Sequence, residues 1–452
     1  MKTERELMDL CQYAVSVGQK RGANAIEVQC DSRIDLDAGI ELGEVNSVSR
    51  SVGTEFAVRL YLGKRMGSAF TNIPTREALD EGVSMALSAA KATTEDKDWQ
   101  RLPEPRTYKE IPGLWEEAVI KCEPDKVVRL TADMVKKAAA AEEGLIAAYG
   151  GSGTSIHVMA YANSSGTAVA QKLTSAYLFL AGVAPTGASM TPLVQSYDVK
   201  RGLQLDMDRV VDEVASNIRL CKKKVKANSG KFSVILHPQA YSELLQYTLL
   251  MSVRGDNVAR GKSKIADKIG DTIASPILTI TDDGTTPKGM HTSVADDEGV
   301  PRQRTPIIEK GVLRSFLWDT YWGNKMGVKS TGNAKRNMRQ GLLEIATSNL
   351  VVGLGKRDIA EIISGVKQGY LVRNLQGAHS SNPESGDFSI VGNPAFLIEN
   401  GELKGAVDGL MLAGNIYELL KNAVETAKTP HYLEGTIGPE VVFKDVQVVV
   451  KE

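Results

Sequence analysis

The order of elements in the first half of the chain limits the fold more than any other feature. Residues 4–21 carry Leu7, Leu10, Cys11 and Ala14 at helical spacing. "AIEVQCD" then alternates, placing Ile26, Val28 and Cys30 on one face of a strand. Another strand is expected within "GIELGEVNSVSRSV". "EFAVRLYLGKRMGSAFT" predicts a hairpin turning at Gly63, with Phe56, Val58, Leu60 and Leu62 sharing a face. A helix follows from Thr75, an N-cap residue type, to Ala92. After the proline-rich connector "RLPEPRTYKEIPGLWEE" the same order returns. It runs through a helix at 125–142, strands in "GLIAAYGG", "SIHVMAYAN" and "TAVAQKLTSAYLFLAGVA", and a closing helix at 206–224. Helix, strands, helix, twice over, predicts an internal duplication.

From Lys231 the texture changes. One amphipathic helix (238–252) is followed by glycine-rich stretches and short apolar runs such as "PILTITDDG", "LLEIATSNLVVG" and "EVVFKDVQVVV", with short helices near 319–326, 356–363 and 414–424. The expected class is α+β: repeats at 1–100 and 101–226, then a strand-rich C-terminal domain at 227–452. With 42% hydrophobic and 24% charged residues, the 452-residue chain has material for a sizeable core. A formal net charge of -1 argues against a nucleic-acid or anionic-membrane partner for the whole molecule. The charged start "MKTERELMDL" has no signal-like apolar region, and no run approaches a membrane span. Cys11, Cys30, Cys122 and Cys221 form no CxxC pair, so reduced thiols and the cytoplasm are expected.

Several motifs invite chemistry, and each has a plainer alternative. "CKKKVKANSGK" (221–231) offers lysines to phosphates, but no aromatic residue interleaves to stack a base, and lysines at a helix C-terminus suit its dipole. Asp282, Asp283, Asp296, Asp297 and Glu298 form acidic clusters without EF-hand spacing; Asp-Gly steps of this kind are common turns. "GGSGTS" (150–155) and "VGLGKRD" (352–358) lack phosphate-cradle spacing and read as loops. Of His157, His237, His291, His379 and His431, no two fall within one helix at ligand spacing, which leaves only a dispersed metal site open. In "KFSVILHPQAYSELLQYTLLMS" a strand runs into His237, then Pro238, then the helix. Proline suits the first helical position, so His237 reads as the residue that starts the helix.

"KMGVKSTGNAKR", "AHSSNPESGDFS", "FLIENGELKGAV" and "LMLAGNIYELL", taken together, resemble the TldD/PmbA family. The resemblance covers nearly the whole chain, from the first helix and "GKRMGSAFTN" to the last strand. It implies a cytoplasmic dimer of two subunit types forming a zinc metallopeptidase. One type, TldD, carries His-Glu-x-x-x-His after the first strand of the C-terminal domain, and a Cys near the C-terminus. The other, PmbA or TldE, lacks these ligands. Matched in order, the first His falls on His237, the Glu on Pro238, the second His on Ser242 and the Cys on Ile437. Catalytic zinc needs about three protein ligands and an activated water. One imidazole does not meet that requirement, and the general base is missing. "HSSNPESGDFS" also resembles the PmbA type.

The resemblance therefore implies a metal-free subunit. Zinc belongs on a TldD-type catalytic partner in a heterodimer, with a homodimer as a further option for the isolated chain, and the substrates are peptides or unfolded segments. Two other readings stand beside it. A self-sufficient, metal-independent hydrolase would use Ser330, Thr331, Asn333 and Arg336 as an oxyanion or anion site and His237 or His379 as base. A binding protein, such as a modulator of DNA gyrase, would show salt-sensitive DNA binding if it acted on DNA directly. Asn333, Arg336 and His379 are the candidate peptide-cleft residues.

Overall fold

A computed structural model describes residues 2–450. The first helix, Glu4–Lys20, starts at a capping box: the Thr3 side chain accepts from the Glu6 amide, and the Glu6 carboxylate accepts from the Thr3 amide. Its face of Leu7, Cys11 and Ala14 is buried against Ile26, Val28, Cys30, Phe56, Val58 and Leu60, the strand faces expected from alternation. Helix Arg76–Ala92, capped by the Thr75 side chain, completes this layer.

The strands are longer than their sequence suggests. Ala25–Glu41 and Glu44–Leu62 form one hairpin whose turn, Leu42–Gly43, has φ of 48° and 88°. A leucine in the left-handed region is uncommon, so the turn hides inside "GIELGEVNSVSRSV", which reads as a single strand. "GGSGTS" is likewise no loop. It lies in the middle of one continuous strand, Ile146–Asn163. A Cβ at Gly150 or Gly151 would stand 2.2 Å from the Phe179 carbonyl oxygen or 2.1 Å from that of Ala38, so these glycines admit close strand neighbours.

The two repeats share one antiparallel sheet. Its order is Arg65–Thr71, Glu44–Leu62, Ala25–Glu41, Ile146–Asn163, Ala168–Val183, Val194–Lys200. The seam between repeats is Ala25–Glu41 against Ile146–Asn163. Helices Pro124–Ala141 and Met207–Cys221 lie between this sheet and the C-terminal domain. Their cluster holds Leu178 and Leu180 from one side and Ile235, Phe396 and Ile398 from the other.

The C-terminal domain is strand-rich, and the fold class is α+β. Strand Gly230–Leu236 is central in a nine-stranded sheet, antiparallel to Val441–Val449 and parallel to Gln368–Val372. A second, six-stranded sheet ends in Leu350–Val352, Thr436–Gly438 and the edge strand His431–Tyr432. The helix expected at 238–252 breaks at Tyr247–Thr248 into Pro238–Gln246 and Leu249–Ser252. The Thr248 hydroxyl bonds back to the Leu244 carbonyl, a contact that competes with helix continuation.

Candidate functional site

Strand Gly230–Leu236 delivers His237 to the start of helix Pro238–Gln246. His237 is its N-cap, with φ -67° and ψ 151°, and Pro238 takes the first helical position, where its missing N–H leaves nothing unpaired. The Gln239 amide donates to His237 Nδ1 at 3.2 Å. Nδ1 is therefore the unprotonated nitrogen of the neutral ring, and Nε2 carries the hydrogen. That Nε2 is buried and has no hydrogen-bond partner. Burial, with Arg373, His431 and Arg209 nearby, pushes the imidazole pKa well below its usual range, so the ring stays neutral.

A hairpin from the far end of the chain meets this helix. His431–Tyr432 pairs with Thr436–Gly438, setting His431 opposite Gly438 and Tyr432 opposite Ile437. The His431 and His237 rings meet edge to face, with centroids 4.5 Å apart. His431 Nε2 lies 2.9 Å from Glu440 Oε1. Burial works against the Glu440 charge, but the His431 hydrogen bond and the Arg373 charge outweigh it and lower its pKa. Sequence spacing did not single out His431 or Glu440. The usable signal was "HYLEGTIGPE" itself, whose glycines allow a tight hairpin that folds its two ends together.

His237 and His431 border a cavity of about 720 Å³. One part of its wall is Ser196 to Gly202, the edge strand of the N-terminal sheet and the turn after it; another is Thr429 to Leu433. Arg209 joins Asp198 at 3.3 Å and Glu213 at 3.0 Å on this wall. Arg201 is buried beside it and donates to the Gly289, Met290 and Thr292 carbonyls, holding the loop that forms the floor. Desolvation lowers its pKa to about 10.

The residues singled out from sequence divide sharply. His237 and Ile437 line the cavity. Pro238 is buried in the first helical turn, and the Ser242 hydroxyl turns back to the Gln239 carbonyl at 3.2 Å; neither lines the cavity. Asn333 is fully buried, donating to Asp282 at 2.7 Å and to the Ala346 carbonyl. The Arg336 side chain is buried against Glu27. Ser330 and Thr331 border a separate cavity of about 670 Å³ beside Arg101 and Arg106. His379 is exposed, packs against Tyr247 and does not line the cavity. The acidic residues serve the backbone: Asp296 accepts from Glu298, Val300 and Ala334 amides, and Glu298 from Thr320. In the lysine run, Lys222 pairs with Glu142 and Lys224 with Asp408.

Whether this site suits zinc turns on its protons. His237, His431 and Glu440 offer donor atoms within 4.8 Å of one another. Yet a ligating Nε2 must be unprotonated, and here the helix cap holds the proton on that atom. His431 and Glu440 are already bonded to each other, and two arginines stand close enough to oppose an added cation. The donor set as arranged does not fit a zinc site.

Two family models match the chain: "PmbA/TldA metallopeptidase domain 1" at residues 27–90 and "PmbA/TldA metallopeptidase C-terminal domain" at residues 229–450. A Haemophilus influenzae protein named metalloprotease PmbA homolog is 27% identical over 433 residues, covering 94% of this chain and 92% of that one. The crystal structure of TldE from Thermococcus kodakarensis is 33% identical and superimposes with a TM-score of 0.93, covering 97% of this chain and all of that one. A Thermotoga maritima structure described as a putative modulator of a DNA gyrase shares the fold, with a TM-score of 0.88 at 20% identity over 98% of this chain and 99% of that one. Matched by family models at residues 27–90 and 229–450 and by a related structure over 97% of its length, the chain belongs to the PmbA/TldD metallopeptidase family.

Proposed function

We propose that the chain is a TldE-like, non-catalytic subunit of a TldD/PmbA-type zinc peptidase, and that its cavity forms part of the path of an extended peptide. The observation that carries this reading is the hydrogen bonding of His237. At the position matched to the first zinc ligand, the imidazole caps a helix through Nδ1 and presents Nε2 as a buried donor. Pro238 stands where the general base would be, so no group there takes a proton from water. The cavity wall supports the peptide part of the reading. It is bounded by two edge strands, Val194–Lys200 and His431–Tyr432, and sheet edges hold extended chains through main-chain hydrogen bonds.

Zinc content and partner dependence test the proposal. The purified chain is expected to hold far less than one zinc per molecule by elemental analysis and to cleave peptides weakly or not at all. Adding a subunit with an intact His-Glu-x-x-x-His should give activity that a chelator abolishes. About one tightly held zinc per isolated chain would overturn the reading.

The His431–Glu440 pair favours one rival. A histidine bonded to a buried carboxylate in a cavity wall has the make-up of a general base. On that reading the isolated chain would cleave peptides in the presence of chelator, and His431→Ala would remove the activity. Ser196, the hydroxyl in this wall, instead donates to Glu213 at 2.8 Å, which speaks against a serine nucleophile there.

A further inference from the structure

The ends of two neighbouring parallel strands place an unused donor beside an unused cation. Leu236 is registered with Val372, and the His237 amide donates to the Val372 carbonyl at 3.0 Å, so His237 and Arg373 leave the sheet side by side. His237 is 3% exposed and lines the cavity, and its Nε2–H has no partner. The Arg373 side chain is 18% exposed. Among the described residues its guanidinium makes no hydrogen bond, and its one ion pair is with Glu213 at 3.5 Å.

Buried charges ordinarily have close, hydrogen-bonded partners. The two acids whose charge acts on Arg373 are Glu213 and Glu440, and both are taken. Glu213 accepts from Arg209 at 3.0 Å and from the Ser196 hydroxyl at 2.8 Å. Glu440 holds His431 at 2.9 Å. Besides burial, the charges that act on the His237 ring are Arg373, His431 and Arg209, all of them positive. A group entering here meets N–H donors and positive charge together. A neutral carbonyl answers only the donors. A carboxylate answers both, with about four lone-pair sites on its two oxygens, and charge-assisted hydrogen bonds are roughly twice as strong as neutral ones.

We propose that this corner of the cavity binds a peptide carboxylate, with the His237 Nε2–H as hydrogen-bond donor and Arg373 as counter-charge. Resting on the reading of the cavity as a peptide path, the site takes the group from either of two sources, a peptide C-terminus or an acidic side chain. The His431 ring, packed edge to face on His237 and carried by a strand of only two residues, is the part of the wall that yields to let the carboxylate reach Nε2.

Calorimetric titration of the purified chain tests this, with EDTA present so that no metal holds the carboxylate. N-acetyl-trialanine as the free acid should bind about ten-fold or more tighter than its C-terminal amide. The amide of N-acetyl-Ala-Glu-Ala, set against its Gln counterpart, shows whether a side-chain carboxylate serves equally. His237→Asn keeps a good helix cap but removes the Nε2–H. Arg373→Met leaves Glu213 with Arg209 and Ser196. Both variants should fold, checked by melting temperature, and both should lose the preference for acid over amide, whereas Arg373→Lys should retain part of it. Equal affinity for acid and amide in both peptide pairs would overturn the inference while leaving a peptide path in place. No binding of any of these peptides at millimolar concentration would remove both. A preference that survives in His237→Asn and in Arg373→Met would overturn the assignment to these residues. Zinc content and partner dependence are separate measurements, so the subunit reading stands or falls apart from this titration.

Discussion

Two buried polar atoms near the start of one helix have no hydrogen-bond partner, and they carry different meanings. His237 Nε2 belongs to a ring that borders the cavity, while Tyr241 Oη sits within the apolar cluster of the C-terminal domain. Beside that hydroxyl is Gly438, where a Cβ would stand 2.4 Å away. Gly438 thus makes room for a group that finds nothing to bond. An unpaired buried hydroxyl costs about 1–3 kcal/mol of desolvation. Tyr241→Phe deletes that cost and keeps the ring, so it should stabilise the protein by about 1 kcal/mol, read as a higher urea midpoint at unchanged slope. A loss of stability instead would mean that the hydroxyl has a partner in solution. For His237 the same logic points to function, because its orphan is a donor next to space that a peptide carbonyl could fill.

At the scale of elements, close approach between helix and sheet rests on single glycines. A Cβ at Gly67 would stand 2.0 Å from the Ala86 carbonyl oxygen and 2.5 Å from the Ala90 nitrogen, so helix Arg76–Ala92 lies almost directly on strand Arg65–Thr71. Backbone cannot swing aside as a side chain can. Gly67→Ala should cost at least about 1–3 kcal/mol. Gly53, with open space around its Cβ and no positive φ, is the control: Gly53→Ala should be neutral or slightly stabilising through the unfolded chain. Urea unfolding of both variants checks the pair, and equal effects would refute the close approach. These elements also show what could be read in advance. Helices announced themselves through the Thr75 cap and through apolar spacing: Leu7, Cys11 and Ala14 of the first helix are buried, and Leu10 is half-buried. Strand lengths did not: Gly150 and Gly151 look like punctuation but serve close strand contact, while Leu42 looks like strand but serves a two-residue turn. The site was half legible: His237 was marked by its neighbours in sequence, whereas His431 and Glu440 reach it only through hairpin pairing.

The whole molecule is tied together by a buried charge network that the sequence presented as a cleft motif. Arg336, in "KSTGNAKR" of the C-terminal domain, reaches into the N-terminal sheet and meets Glu27 at 2.9 Å and Gln29 at 2.8 Å. Glu27 also holds Arg59 at 2.5 Å and accepts from the Tyr161 hydroxyl at 2.6 Å. Burial alone would raise the Glu27 pKa. The Arg336 and Arg59 charges and the Tyr161 bond outweigh it, and hold the carboxyl at about 2. Asp297 fixes Arg336 from its own side, accepting from the backbone amide at 2.8 Å. Removing one member of such a network strands the others in low dielectric, which typically costs about 3–5 kcal/mol. Arg336→Met should lose roughly that much, because the thioether fills the volume but leaves Gln29 and part of Glu27 unpaired. Glu27→Gln should cost a similar amount by leaving two guanidinium groups without a counter-charge. In a double-mutant cycle the combined loss should fall well short of additivity, since each change removes the penalty the other creates. Denaturant unfolding of the four proteins measures the coupling. If Arg336 instead served a peptide, Arg336→Met would weaken peptide binding while leaving the unfolding midpoint in place. A coupling near zero with impaired binding would move Arg336 from the seam between domains back to the cleft.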